Sequence, residues 1–110
     1  MRADDERTLA IEFDEDGLLK DPSCWNEDVA REIARLEGIG PLNAEHWEVI
    51  RALRTYYLKF GVAPFMGHLG HENGKPRGWV HDLFHTCLVA WRVAGLPNPG
   101  EEAKSYMSDM

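Results

Sequence analysis

LNAEHWEVIRALRTYYLKFG, residues 42–61, decides the fold of this chain. Trp47, Ile50, Leu53, Tyr57 and Phe60 recur at the spacing that lays one apolar stripe along an α-helix. Asn43 stands where an N-cap oxygen can take up the first amides left without a partner. Gly61 stands where a glycine closes the last turn in the left-handed conformation. Arg51, Arg54 and Lys59 fall off the stripe. The stretch predicts a long capped helix with one buried face.

Working upstream, Asp21-Pro22-Ser23 is turn chemistry leading into a second helix, capped by Asn26 or Ser23. Glu27 and Asp28 suit the positive end of its dipole. Val29, Ile33 and Leu36 give it an apolar face, and Gly38 and Gly40 end it. Before that, LAIEFDEDGLLKD (9–21) reads as a β-hairpin, with Ile11 and Phe13 alternating with Glu12 and an Asp16-Gly17 turn. Downstream, residues 62–78 are rich in Gly, His and Pro. They predict a short helix or irregular loop around Met66–Leu69 and a turn at Asn73-Gly74. A last helix is expected from about Trp79 to Ala94, with Val80, Leu83, Phe84, Cys87, Trp91 and Ala94 on one face. The expected fold is mainly α: a small helical bundle with an N-terminal β-hairpin. Residues 1–99 form the single domain and 100–110 a flexible C-terminal tail.

A length of 110 residues fits one domain around one core. With 44 % hydrophobic and 28 % charged residues, the composition is that of a soluble globular protein. No apolar run approaches the roughly 20 residues of a membrane span, and MRADDERT lacks the apolar core of a signal peptide. A cytoplasmic protein without membrane contact is expected. The net charge of −7 is uneven: residues 1–37 carry five basic and twelve acidic side chains, residues 38–100 six and four. The acidic first third argues against phosphate-backbone binding, while the middle can present a local basic face. The last helices could form a helix-turn-helix-like pair, but Lys75, Arg77 and Arg92 are few basic groups for reading DNA, so nucleic acid is not an expected partner.

Candidate chemistry is sparse. His68 and His71 are spaced HxxH, and His81 and His85 HxxxH, which on one helix face could chelate a metal. No cysteine or carboxylate completes a set, so no metal and no cofactor are expected. Cys87 sits mid-stripe and reads as a small buried hydrophobe. Cys24 lies near a helix N-terminus, where the dipole would lower its pKa. Glu45 and His46 fit the first turn of a capped helix better than an acid–base pair. Two cysteines are too few for a disulfide scaffold.

FDEDGLLKDPSCWNEDVA, LNAEHWEVIRALRTYYLKFGVAPF, HDLF and RVAGLPNP, in that order, resemble the TusE/DsrC/DsvC sulfur-relay family over roughly residues 9–99. The resemblance implies a small helical domain with an N-terminal hairpin. It also implies sulfur transfer, with a persulfide accepted by a cysteine near the end of a flexible C-terminal arm. Two-cysteine members add a second thiol four residues before the Gly of GLP. Counted from Gly95, the arm position here is about Glu102, and the upstream position is Trp91. A carboxylate and an indole cannot hold a persulfide. Met66-Gly67 stands where relatives have an arginine-containing helix start.

Two readings follow. One is a non-catalytic binding or regulatory relative that keeps the fold and docks without delivering sulfur. The other is a sulfur carrier whose thiol has moved to Cys87, on the same helix face as position 91. Either implies a protein partner from a sulfur relay or a sulfite reductase complex. Arg51, Arg54, Arg92 and Glu102 are the candidate partner-binding residues. The oligomeric state is open; the short acidic hairpin edge favours a monomer over an obligate dimer.

Overall fold

The computed structural model describes residues 11–76 and 78–108. Its helices are α1 (Glu27–Leu36), α2 (Ala44–Phe60), α3 (Met66–Glu72), α4 (Trp79–Phe84), α5 (Cys87–Val93) and α6 (Glu101–Ser108). The two long helices begin where their caps lie. The Asn26 side chain accepts from the Val29 amide at 2.9 Å, starting α1. Ser23 belongs instead to a 3-10 turn, Pro22–Cys24, capped by Asp21. Asn43 accepts from Glu45 and His46, and His46 Nδ1 accepts from the Asn43 amide at 3.0 Å, a reciprocal box that fixes the start of α2. Gly61, at φ 71°, ends it.

The buried faces differ in detail from the predicted stripes. On α2 the core residues are Val49, Ile50 and Leu53, whereas Phe60 is 54 % exposed. On α1, Val29, Ala30, Ile33 and Ala34 are buried, and Leu36 points outward at 56 % exposure. The alanines let α1 approach its neighbours closely.

Two expectations require correction. The β-hairpin predicted over 9–21 is reduced, among the described residues, to one antiparallel bridge between Phe13 and Leu19. Leu9 and Ala10 lie outside the described residues. The Asp14 carboxylate accepts from the Asp16 and Leu18 amides and closes the turn inside the bridge, while outside it the Lys20 amide donates to the Glu12 carbonyl before Asp21 caps the 3-10 turn. Next, the single helix expected over 79–94 is broken. His85 adopts φ 73°, and the Thr86 side chain accepts from the Val89 amide at 3.1 Å, starting α5 afresh. A local cap therefore overrides a continuous apolar stripe. Over the stretch expected as a tail, residues Glu101–Ser108 form α6, with Met107 fully buried and Lys104 9 % exposed; Asp109 and Met110 lie outside the described residues.

α5 is the hub. It packs against α1, α2, α4 and α6, which is why Cys87, Ala90, Trp91 and Val93 are all buried. A helix with neighbours on several sides is apolar nearly all round.

Candidate functional site

The site grows from the end of α5. The last carbonyls of a helix lack intrahelical donors and need partners. Here aromatic and cationic side chains from distant segments supply them. Trp25 Nε1–H donates to the Val93 carbonyl at 2.9 Å. Arg54 Nη1–H donates to the Ala94 carbonyl at 2.7 Å, while its guanidinium lies 3.9 Å from the Trp25 ring centroid. Burial lowers the Arg54 pKa from its ordinary value.

Gly95 follows at φ 68°, and a Cβ there would meet Trp25 Cδ1 at 2.0 Å. Only glycine fits both the dihedral and the space. The Trp91 indole N–H then donates to the Pro97 carbonyl at 2.8 Å, and its ring meets Tyr57 edge-on with centroids 5.8 Å apart. The segment Gly95–Pro97 is thus held from both sides by Trp25, Arg54 and Trp91.

Beyond the hinge, α6 returns to the body. Lys104 Nζ donates to Asp16 Oδ2 at 2.8 Å and Glu101 Oε2 at 3.0 Å, and the Asp16 hydrogen bond, followed by that of Glu101, raises the lysine pKa. The Tyr106 hydroxyl accepts from the Met66 amide at 2.8 Å and donates to the Pro64 carbonyl at 3.3 Å. Phe65 packs edge-on against Tyr106. Arg92 also clamps the turn below α6. Its Nε and Nη2 donate to the Asp16 carbonyl at 3.1 and 2.9 Å, and Nη1 reaches Glu37.

The residues singled out in the sequence are thereby separated. Arg54 and Arg92 are engaged inside the fold, and Arg51 is exposed on the outer side of α2. Glu102 is exposed on α6. Trp91 is 0 % exposed. Cys87, 2 % exposed at the first position of α5, has its thiol pushed up to about 11 by desolvation. At neutral pH it is held as the thiol, the form that does not attack. Cys24 is exposed, but the expected dipole effect is overridden: its Sγ lies 3.5 Å from Asp21 Oδ2, and that hydrogen bond with the carboxylate's charge raises the thiol pKa.

Glu45 and His46 form no acid–base pair, because both His46 ring nitrogens are engaged: Nδ1 by Asn43 and Nε2 by the Leu83 carbonyl at 3.1 Å. The break at His85 removes the shared helix face expected for His81 and His85. Among the described residues no group of His, Cys, Asp or Glu is disposed to hold a metal ion. No helix there is long and apolar enough to cross a membrane. Sequence reasoning missed Trp25, Lys104 and Tyr106. The WNE stretch and the amphipathic AKSYM were visible signals, but their partners lie far away in the chain.

The fold and this clamp define a small helical domain whose final segment hangs from a Gly-Leu-Pro hinge. Residues 6–101 match the family described as DsrC like protein, and the chain belongs to that family. It is 40 % identical over 99 residues to sulfurtransferase TusE of Salmonella choleraesuis (strain SC-B67), covering 81 % of this chain and 89 % of the relative. It is also similar to the oxidized gamma-subunit of dissimilatory sulfite reductase (DsrC) from Archaeoglobus fulgidus, at 35 % identity and a TM-score of 0.70 over 83 % of this chain and 90 % of that one. The DsrC/gamma subunit from Pyrobaculum aerophilum gives 35 % identity and a TM-score of 0.71, over 83 % of this chain and 85 % of its own.

Proposed function

We propose that this member of the DsrC/TusE-like family is a binding or regulatory protein, one that docks on a partner of a sulfur relay or sulfite reductase assembly without carrying a persulfide on its C-terminal arm. The observation that carries the reading is Trp91. At the position matched to the upstream family cysteine, a fully buried indole bonds to the Pro97 carbonyl and so spends the position on holding the hinge closed. The arm position, about Glu102, supports the same reading, since it offers a carboxylate on a helix packed against the body. Sulfur transfer requires a thiolate that can enter a donor's active site. Cys87, the alternative thiol, is sealed on a rigid helix and disfavoured as a thiolate, which speaks against the relocated-carrier reading.

The test uses the full chain in a Cys24→Ser background, incubated with sodium tetrasulfide and then weighed intact. The expected result is no added mass, whereas a second variant carrying Glu102→Cys gains about 32 mass units, one sulfur atom on a thiol. A gain of that size in the Cys24→Ser chain that disappears on Cys87→Ser would overturn the proposal.

A further inference from the structure

We infer that the groove between α2 and α3 is a docking site for an acidic amphipathic helix of a partner protein. The inference does not depend on whether the arm carries sulfur. The groove encloses about 670 Å³, and Arg51, Tyr56, Lys59, Phe60 and Trp79 are among its lining residues. Two of its lining rings, Tyr56 and Phe60, lie with centroids 4.5 Å apart and planes tilted by 44°, and Phe60 remains 54 % exposed. Trp79, 5 % exposed, forms part of the wall, and its Nε1–H has no acceptor among the described residues. An exposed aromatic ring in a groove is a surface that gains from being covered.

Charge decides what covers it. Of the groove's carboxylates, Glu48 is matched by Lys75 at 3.0 Å, while Glu72, at the far end of α3, lies 3.2 Å from His68 Nε2. Among the described residues neither Arg51 nor Lys59 has a carboxylate partner, and both are exposed. This is an uncompensated basic pair on a chain of net charge −7. The two lie eight residues apart on one helix, about 12 Å along its axis at 1.5 Å per residue. Carboxylates two turns apart on a second helix laid along α2 would meet both, with its apolar face on Tyr56 and Phe60. A second copy of this chain would bring its own −7 and a nucleic acid a dense run of phosphates, whereas a short helix brings only the few carboxylates that meet this pair.

The probe is a fluorescein-labelled peptide of about 16 residues, with leucines at i, i+3, i+4 and i+7 and glutamates on the flanking faces. It is titrated with the full chain at about 50 mM ionic strength and followed by anisotropy and by amide chemical shifts. Binding should shift the amides of Tyr56, Lys59 and Trp79 and weaken at least about tenfold in Arg51→Glu/Lys59→Glu. Both side chains are exposed, so this variant should keep its fold, and it should in turn bind the peptide with lysines replacing the glutamates. The inference is overturned by absence of binding up to about 1 mM, or by shifts confined to another face. It is equally overturned by affinity unchanged in the double variant, or by a single-stranded oligouridine binding the groove as tightly as the peptide.

Discussion

Gly95 answers to its neighbour's shape as much as to its own dihedral, because any replacement must find room beside Trp25. At φ 68°, an alanine costs roughly 1–2 kcal/mol for the left-handed backbone alone. The added overlap with the Trp25 ring brings a further cost of about 1–3 kcal/mol from overpacking. Gly38, at φ 79°, has nothing within 4 Å of the place a Cβ would take and so isolates the first of these costs. Urea unfolding should therefore rank Gly95→Ala clearly below Gly38→Ala; equal midpoints would mean that Trp25 does not hold the hinge. Cys87 makes the second prediction at this scale. Burial raises its pKa from 9.0 to about 11, so the folded chain keeps the proton that the unfolded chain has begun to lose. That stability is complete below pH 9 and is lost as pH rises toward about 11. The urea midpoint should fall over this window, and the fall should be shallower in Cys87→Ser.

At the scale of elements, α6 is held by three separate ties: Lys104 to Asp16, Tyr106 to Pro64 and Met66, and Met107 in the core. Tyr106→Phe removes two hydrogen bonds and should cost about 1–2 kcal/mol. Amide exchange should speed over 101–108 while α2 stays protected; protection unchanged in α6 would show that the hydroxyl does not anchor it. Thr86→Ala removes the cap that restarts α5 and should cost about 1 kcal/mol in thermal or urea unfolding. These ties also explain what the sequence could and could not reveal. The bounds of α1 and α2 were legible because Asn26, Asn43 and Gly61 act on amides within a few residues. The break at His85 was not, because a positive φ at a non-glycine residue inside an apolar stripe leaves no local mark. Nor was the docking of α6, which depends on residues forty and more positions away. The hinge itself was legible from RVAGLPNP, yet its clamp was not, since Trp25 and Arg54 reach it only once the helices pack.

At the scale of the whole molecule, charge and hinge act on different faces. Arg54 and Arg92, offered by the sequence as docking residues, are engaged within the fold, which leaves Arg51 with Lys59 as the outward basic pair. The C-terminal segment that hangs from the hinge is packed down through Lys104, Tyr106 and Met107, and Cys87 lies sealed beneath the same helices. The proposed role as a docking protein without sulfur cargo, carried by Trp91 at the hinge, further requires that this remaining thiol be inaccessible. Native thiol titration of the Cys24→Ser chain with an aromatic disulfide reagent at pH 8 measures it. The account predicts that Cys87 reacts at least about a hundredfold more slowly than in urea, limited by opening of the fold. Reaction in the native state at the rate of the unfolded chain would contradict it.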